Sequence, residues 1–174
     1  VNGERFSTLE NSLYDDKSGE FDIVISNPPY FKISGDDQRA KIAKNIVNGH
    51  PNLYSIFMYY AVSFLKEGGE FVFIIPRSFA SGYYFKTFRD RFFRIAKLEW
   101  IHLFESRKNM FGKENVLQEN IILKGVKEHN YDNSARVFIS HSNDNRDLEF
   151  ARHLSCSLNE VLDKDSTQKI LHVP

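Results

Sequence analysis

Cysteine and tryptophan occur once each in 174 residues, methionine twice, and no charge of either sign is in excess: 23 lysines and arginines balance 23 aspartates and glutamates. A lone thiol, Cys156, cannot close an internal disulfide, and no Cys/His cluster has zinc spacing, so neither a disulfide frame nor a metal site is expected. Long apolar runs are missing too. Stretches such as Phe71–Ile75 fall far short of the roughly 20 residues that a bilayer span needs, so no membrane partner is expected. The opening residues, VNGERFSTLENSLYDDKSGE, contain no apolar h-region of the kind a signal peptide carries. Together these absences predict a reduced, soluble, cytoplasmic protein. With 41% apolar residues and no net charge the chain is too apolar to be disordered, and its length suits one domain or one and a fraction. It begins with Val rather than Met and reads as a piece of something longer.

What is abundant is aromatic: sixteen Phe and eight Tyr, many of them beside Lys or Arg. Two readings are open. One is a Phe-rich core under snorkelling basic side chains; the other is a surface that stacks on bases and neutralises phosphates.

Phe21–Ser26 (FDIVIS) predicts a strand, because Ile and Val favour one and Pro28-Pro29 cannot continue it. A short helix is expected over Asp36–Val47. A strong amphipathic helix follows from an N-cap at Asn52, with Leu53, Ile56, Phe57, Tyr60, Ala61, Phe64 and Leu65 on one stripe, ending at Gly68-Gly69. Glu70–Pro76 is a nearly unbroken apolar strand, and Ser81 to Arg94 a second helix. Leu98–Phe104 and Gln118–Lys124 are two further strands. This rhythm predicts an α/β fold, part of a doubly wound sheet, over residues 1–127. Residues 128–174 read as a linker, with one strand at Arg136–Ser140 and a weak helix near Leu154–Leu162, and then the start of a further region or a tail. The six histidines show no metal pattern and are read as surface.

Chemistry concentrates at Asn27-Pro28-Pro29-Tyr30, directly after the first strand, where ligands bind in open α/β sheets. Two prolines fix φ twice and remove two N–H donors, so the turn offers carbonyls and cannot relax into helix. Asn27 adds an amide oxygen, and Tyr30 an aromatic face. A planar amino group on a conjugated ring is a poor nucleophile, because its lone pair is delocalised. Accepting its two N–H bonds at Asn27 Oδ1 and the Pro28 carbonyl pushes it toward tetrahedral geometry and frees that pair, while Tyr30 holds the ring flat. With a sulfonium methyl as electrophile, no strong base is required; geometry and electrostatics suffice.

FDIVISNPPY resembles the catalytic motif of amino-group methyltransferases that use S-adenosylmethionine, above all the gamma-type N6-adenine DNA methyltransferases of restriction-modification systems. NLYSIFMYYAVSFLKEGGEFVFIIPRSF (Asn52–Phe79) and MFGKENVLQENIIL (Met110–Leu123) resemble the segments that follow it in that family. The resemblance covers residues 20–125. It implies the partial doubly wound methyltransferase sheet, strands four to seven with flanking helices. It also implies transfer of a methyl to the N6 of an adenine flipped out of double-stranded DNA. Asn27, Pro28, Pro29 and Tyr30 take the catalytic positions, and Phe111 that of the second aromatic of the base sandwich. DNA contacts are expected from Arg77, Lys86 and Arg89, within a stretch Arg77–Lys97 that holds six basic residues against Asp90, and from Lys108 and Lys113, which flank Phe111.

The sequence also departs from the family. No Gly-rich S-adenosylmethionine motif precedes Asn27, and only Asn11, in Glu10-Asn11-Ser12-Leu13, lies where an acidic adenine-contacting residue is usual. The expected picture is therefore a substrate-side half, inactive alone, whose partner is the remaining N-terminal half of the same polypeptide. Without the first three strands, the edge of Phe21–Ser26 is left bare, and a neighbouring copy or a rearranged segment is expected to cover it. Two alternatives stay open: an enzyme that uses the same motif on a glutamine amide or an RNA base, and a specificity module that binds DNA without catalysis.

Overall fold

Phe71, Phe73 and Ile75 alternate along one strand and are all but fully buried, whereas their neighbours Val72 and Ile74 are only half-buried. That asymmetry sets the architecture. The computed structural model describes residues 19–104, 119–143, 152–163, 166 and 168–172. In chain order the elements are β1 (Phe21–Ser26), α1 (Gln38–Ile42), α2 (Leu53–Ser63), β2 (Leu65–Pro76), α3 (Lys86–Phe92), β3 (Ala96–Phe104), β4 (Asn120–Lys127), β5 (Arg136–Ser142), β6 (Arg152–Ser157) and α4 (Leu158–Val161). They form a six-stranded sheet of order β1-β2-β4-β3-β5-β6. The β1–β2 and β3–β5 pairs are parallel, and the pairs that β4 makes with β2 and β3 are antiparallel. β5 and β6 thus extend the sheet past the boundary expected at residue 127.

α2 and α3 pack on the Phe71 face, with the rings of Phe71 and Phe92 5.9 Å apart. At Gly125 the approach is tighter still: a Cβ there would lie 2.2 Å from the Lys97 carbonyl oxygen and 2.5 Å from Phe71 Cζ. The opposite face carries Phe21, Ile23 and Ile25 from β1, then Val72, Ile74, Ile122, Trp100 and Phe138 by register. Ile23 is 60% exposed and Ile25 77%. Parallel strands of a doubly wound sheet are apolar on both faces because helices cover both. Here the described helices that pack on β2 lie on one face.

Several boundaries differ from the sequence-based expectation. α2 stops at Ser63, whose hydroxyl donates to the Tyr60 carbonyl at 2.8 Å, and β2 begins at once with Phe21 opposite Leu65. The register then jumps to Ile23 opposite Glu70, so Gly68 (φ +79°) and Gly69 sit in a bulge rather than at a helix end. Asn52 does precede α2 in extended conformation, but its side chain makes no capping bond. The helix expected from Ser81 is a 3₁₀ turn, Tyr83–Phe85, followed by the short α3. One histidine is not at the surface: His102 is buried, with Nδ1 2.7 Å from Ser140 Oγ and Nε2 3.0 Å from Ser142 Oγ. No helix among the described residues is long and apolar enough to cross a membrane.

Candidate active site

β1 ends at Ser26, opposite Phe73, and the next two residues of the chain are Asn27 and Pro28. Pro28 is buried, Pro29 and Tyr30 are half-buried, and Asn27 is exposed at the carboxyl end of the edge strand. Neither proline can donate to β2. The Tyr30 hydroxyl takes over that task, lying 2.6 Å from the Ile74 carbonyl oxygen, just beyond the last β1–β2 pair.

The same hydroxyl is in short contact with Asn27 Oδ1. A phenol has one proton, and both neighbours, as oriented, only accept. Turning the Asn27 amide over satisfies both: Nδ2–H donates to Tyr30, Tyr30 donates to Ile74, and Oδ1 swings away from the tyrosine. Burial pushes the Tyr30 phenol up to about 12, so it stays protonated, and a donor, through neutral pH.

The ring of Tyr30 is braced from one side. Tyr54, fully buried in α2, meets it edge-on at 6.1 Å and 86°. The Tyr54 hydroxyl pairs with Ser78 Oγ at 3.1 Å, burial raises its pKa, and Phe85 lies against its ring at 5.5 Å. α2 is in turn pinned to the motif: Leu53 N donates to the Phe31 carbonyl at 2.9 Å, and Ile33 N to that of Pro51 at 3.0 Å. Sequence reasoning named neither Tyr54 nor Ser78. The available signal was a hydroxyl-bearing ring between Leu53 and Ser55 at the start of an otherwise apolar helix.

The expected DNA-contacting cations separate. Lys86 is exposed on α3. Arg77 pairs with Glu119 at 3.6 Å. Arg89 must be corrected: it has 0% exposure, and its guanidinium donates to the carbonyls of Phe79 (2.8 Å), Gly82 (2.8 Å) and Gln168 (2.9 Å). It clamps the segment after β2 to the C-terminal segment and presents nothing to a phosphate. Arg94 is paired with Asp90 at 2.9 Å, and Lys97 with Glu128, so part of the local positive charge is matched by acidic neighbours within the chain. Asn11, Lys108, Phe111 and Lys113 lie outside the described residues. No group of three His, Cys, Asp or Glu that could hold a metal ion occurs among the described residues.

Comparison with known proteins gives this corner its setting. The chain is 41% identical over 116 residues to the type II methyltransferase M.PstI of Providencia stuartii, which is 67% of this chain and 23% of that protein. It is 42% identical over 115 residues to M.BsuBI of Bacillus subtilis, 66% of this chain and 23% of that one. The chain thus spans about a quarter of the length of these curated relatives. Among solved structures, the methyltransferase subunit of a type I restriction-modification system from Streptococcus thermophilus matches with a TM-score of 0.52 at 18% identity, over 87% of this chain and 29% of that one. At that identity the likeness is one of fold: the α/β fold of class I S-adenosylmethionine-dependent methyltransferases. The family model described as Eco57I restriction-modification methylase matches residues 2–111, which takes in β1, the Asn27–Tyr30 corner and the strands that support it. The chain belongs to the Eco57I restriction-modification methylase family.

Proposed function

We propose that this chain is the substrate-side half of a site-specific DNA methyltransferase of a restriction-modification system, acting on the N6 amino group of an adenine flipped out of double-stranded DNA. The observation that carries the reading is Asn27, exposed at the end of an edge strand, with its side chain against a tyrosine hydroxyl that is itself tied to β2. In this reading Asn27 Oδ1 and the Pro28 carbonyl accept the two N–H bonds of the amino group, and Tyr30 supports the ring. Phe111 is proposed for the other side of the base, and Lys108 and Lys113 for neighbouring phosphates.

S-adenosylmethionine supplies an electrophilic methyl on a sulfonium leaving group. The described residues do not form a cradle for it: no glycine-rich turn joins a strand to a helix, and β1, at the sheet edge, gives a crevice only one wall. The proposal therefore assigns the cofactor to the remaining N-terminal half of the same polypeptide, with Asn11 as the one contact this chain would add. That half also suits the bare face of Phe21, Ile23 and Ile25; a second copy pairing on the β1 edge is the other occupant that an open edge admits. The proposed setting is the cytoplasm of a cell that carries such a system.

The test is methyl transfer by the full-length polypeptide from radiolabelled S-adenosylmethionine to plasmid DNA, followed by digestion to nucleosides. Label in N6-methyladenine, lost by roughly 10²–10³ in Asn27→Ala, is the expected result. Label in protein or RNA, or full activity of Asn27→Ala, refutes the reading.

A further inference from the structure

Two exposed apolar surfaces flank the corner, and their chemistry differs. The bare sheet face is aliphatic and β-branched at Ile23 and Ile25, which suits packing against other protein. The second is aromatic and cationic. Tyr83 and Tyr84, on the turn before α3, are 75% and 78% exposed, and their rings meet edge-on at 6.1 Å. Lys32 reaches over Tyr84, its Nζ 5.9 Å from the ring centroid. Phe31 is also exposed, and Lys86 follows Phe85 at the start of α3. These five side chains include no carboxylate.

The surface is firmly placed relative to the motif. Phe31 and Lys32 directly follow Tyr30 and are fixed by the backbone bonds that tie Phe31 and Ile33 to Leu53 and Pro51. Tyr84 precedes Phe85, which packs on Tyr54, and Tyr54 packs on Tyr30. Ring contacts thus run from Tyr30 through Tyr54 to Phe85, and the exposed Tyr84 directly precedes Phe85 in the chain. Tyrosine alone would suit a protein interface as well, but lysines are depleted at interface cores, since each ammonium would have to be desolvated. Together the two match a polyanion with π-faces, because base stacking is sequence-tolerant and the lysines answer phosphates.

We propose that Phe31, Lys32, Tyr83, Tyr84 and Lys86 form a DNA-docking ridge beside the catalytic corner, with the tyrosines stacking on bases unpaired next to the extruded nucleotide and the lysines neutralising phosphates. This deepens the proposed function and rests on it. The test uses the full-length polypeptide and a fluorescently labelled mixed-sequence duplex, with and without a one-base bulge. Tyr83→Ala with Tyr84→Ala weakens binding to the bulged duplex roughly ten- to hundredfold, and Tyr83→Phe with Tyr84→Phe does not. Lys32→Gln with Lys86→Gln lowers the slope of log affinity against log salt by about 1.8, or 0.9 for each phosphate lost. Melting temperatures stay at the wild-type value, because the tyrosine rings are solvent-exposed. If the wild type binds and methylates DNA while the alanine and glutamine variants bind as it does, the ridge is refuted and the methyltransferase reading stands. If the wild type neither binds nor methylates DNA, both fall.

Discussion

Replacing Tyr30 by phenylalanine removes one oxygen atom and keeps the ring, so it separates the two tasks assigned to this side chain. The oxygen serves the Ile74 carbonyl at 2.6 Å and the Asn27 amide. Losing the first bond leaves a strand carbonyl at the site without its donor. Because the site is only half-buried, water recovers part of the loss, and a net cost of about 1 kcal/mol is expected. For a chain of this size that corresponds to a melting temperature lower by about 2–4 °C. Losing the second contact frees the Asn27 amide to turn, so that on the proposed reading its oxygen would no longer be held toward the acceptor nitrogen. If the brace is worth a neutral hydrogen bond, about 1–1.5 kcal/mol, the methyl-transfer step slows by roughly tenfold. Tyr30→Ala removes the ring as well, which adds about 1–3 kcal/mol of stacking and shows as weaker binding to target DNA. Single-turnover methyl transfer by the full-length polypeptide, with DNA affinity measured separately, distinguishes the outcomes. The Phe variant should lose rate while keeping affinity, and the Ala variant should lose both. A Phe variant that transfers at the wild-type rate refutes the bracing role, and one that loses as much affinity as the Ala variant refutes the stacking role.

Three further perturbations test the fold around the site. Arg89→Leu should cost about 1–3 kcal/mol for a buried carbonyl left without its donor, and three carbonyls lose theirs together, while Arg89→Lys should recover little because an ammonium cannot span all three; chemical denaturation measures both, and a near-neutral Leu variant contradicts the clamp. Gly125→Ala forces a methyl into the Lys97 carbonyl and the Phe71 ring, so denaturation should show a loss of about 1–3 kcal/mol or more, whereas unchanged stability would mean that the β3–β4 pairing relaxes freely. Burial holds the phenols of Tyr30, Tyr54 and Tyr131 above their ordinary value of about 10. A group whose folded pKa is raised favours the folded state below the unfolded pKa and loses that advantage as pH climbs through the folded one. Thermal melts should therefore fall from pH 10 upward and stay flat on this account between pH 7 and 9; no alkaline drop would contradict the burial of these rings.

Much of the sheet was legible because its signals are local. FDIVIS is bounded by a glycine and two prolines, and Phe71–Ile75 is apolar on both faces, so both strands and the corner between them followed from residue type alone. The boundary between α2 and β2 was not. Leu65, Lys66 and Glu67 are good helix formers, and what overrides them is non-local: Glu20 N and Phe21 N both donate to the Phe64 carbonyl, and Phe21 pairs with Leu65. Arg89 failed for the same reason. On a helix beside Lys86, Arg91 and Arg94 it looks like one more solvated cation, and only the arrival of Gln168, 79 residues later, makes its burial possible. His102 is likewise unremarkable along β3; the two serines that receive it alternate along β5, and the parallel register alone brings the three together.

The corner is only as well placed as the strand that carries it. Among the described residues β1 has a single neighbour in the sheet and one of its faces is open, so Asn27 depends on the β1–β2 ladder and on the Tyr30–Ile74 bond for its position. Phe21, Ile23 and Ile25 are 43%, 60% and 77% exposed, so covering them would add roughly 1–2 kcal/mol for each side chain, comparable with or greater than each hydrogen bond that now holds the strand end. On the proposed reading the part of the polypeptide that brings the methyl donor is also the part that packs on this face. Docking of the donor half would then stiffen the acceptor half through β1 itself. It follows that Ile25→Ser, whose side chain lies on the open face of β1 two residues before Asn27, should slow methyl transfer by loosening Asn27 while leaving the exposed tyrosine ridge untouched.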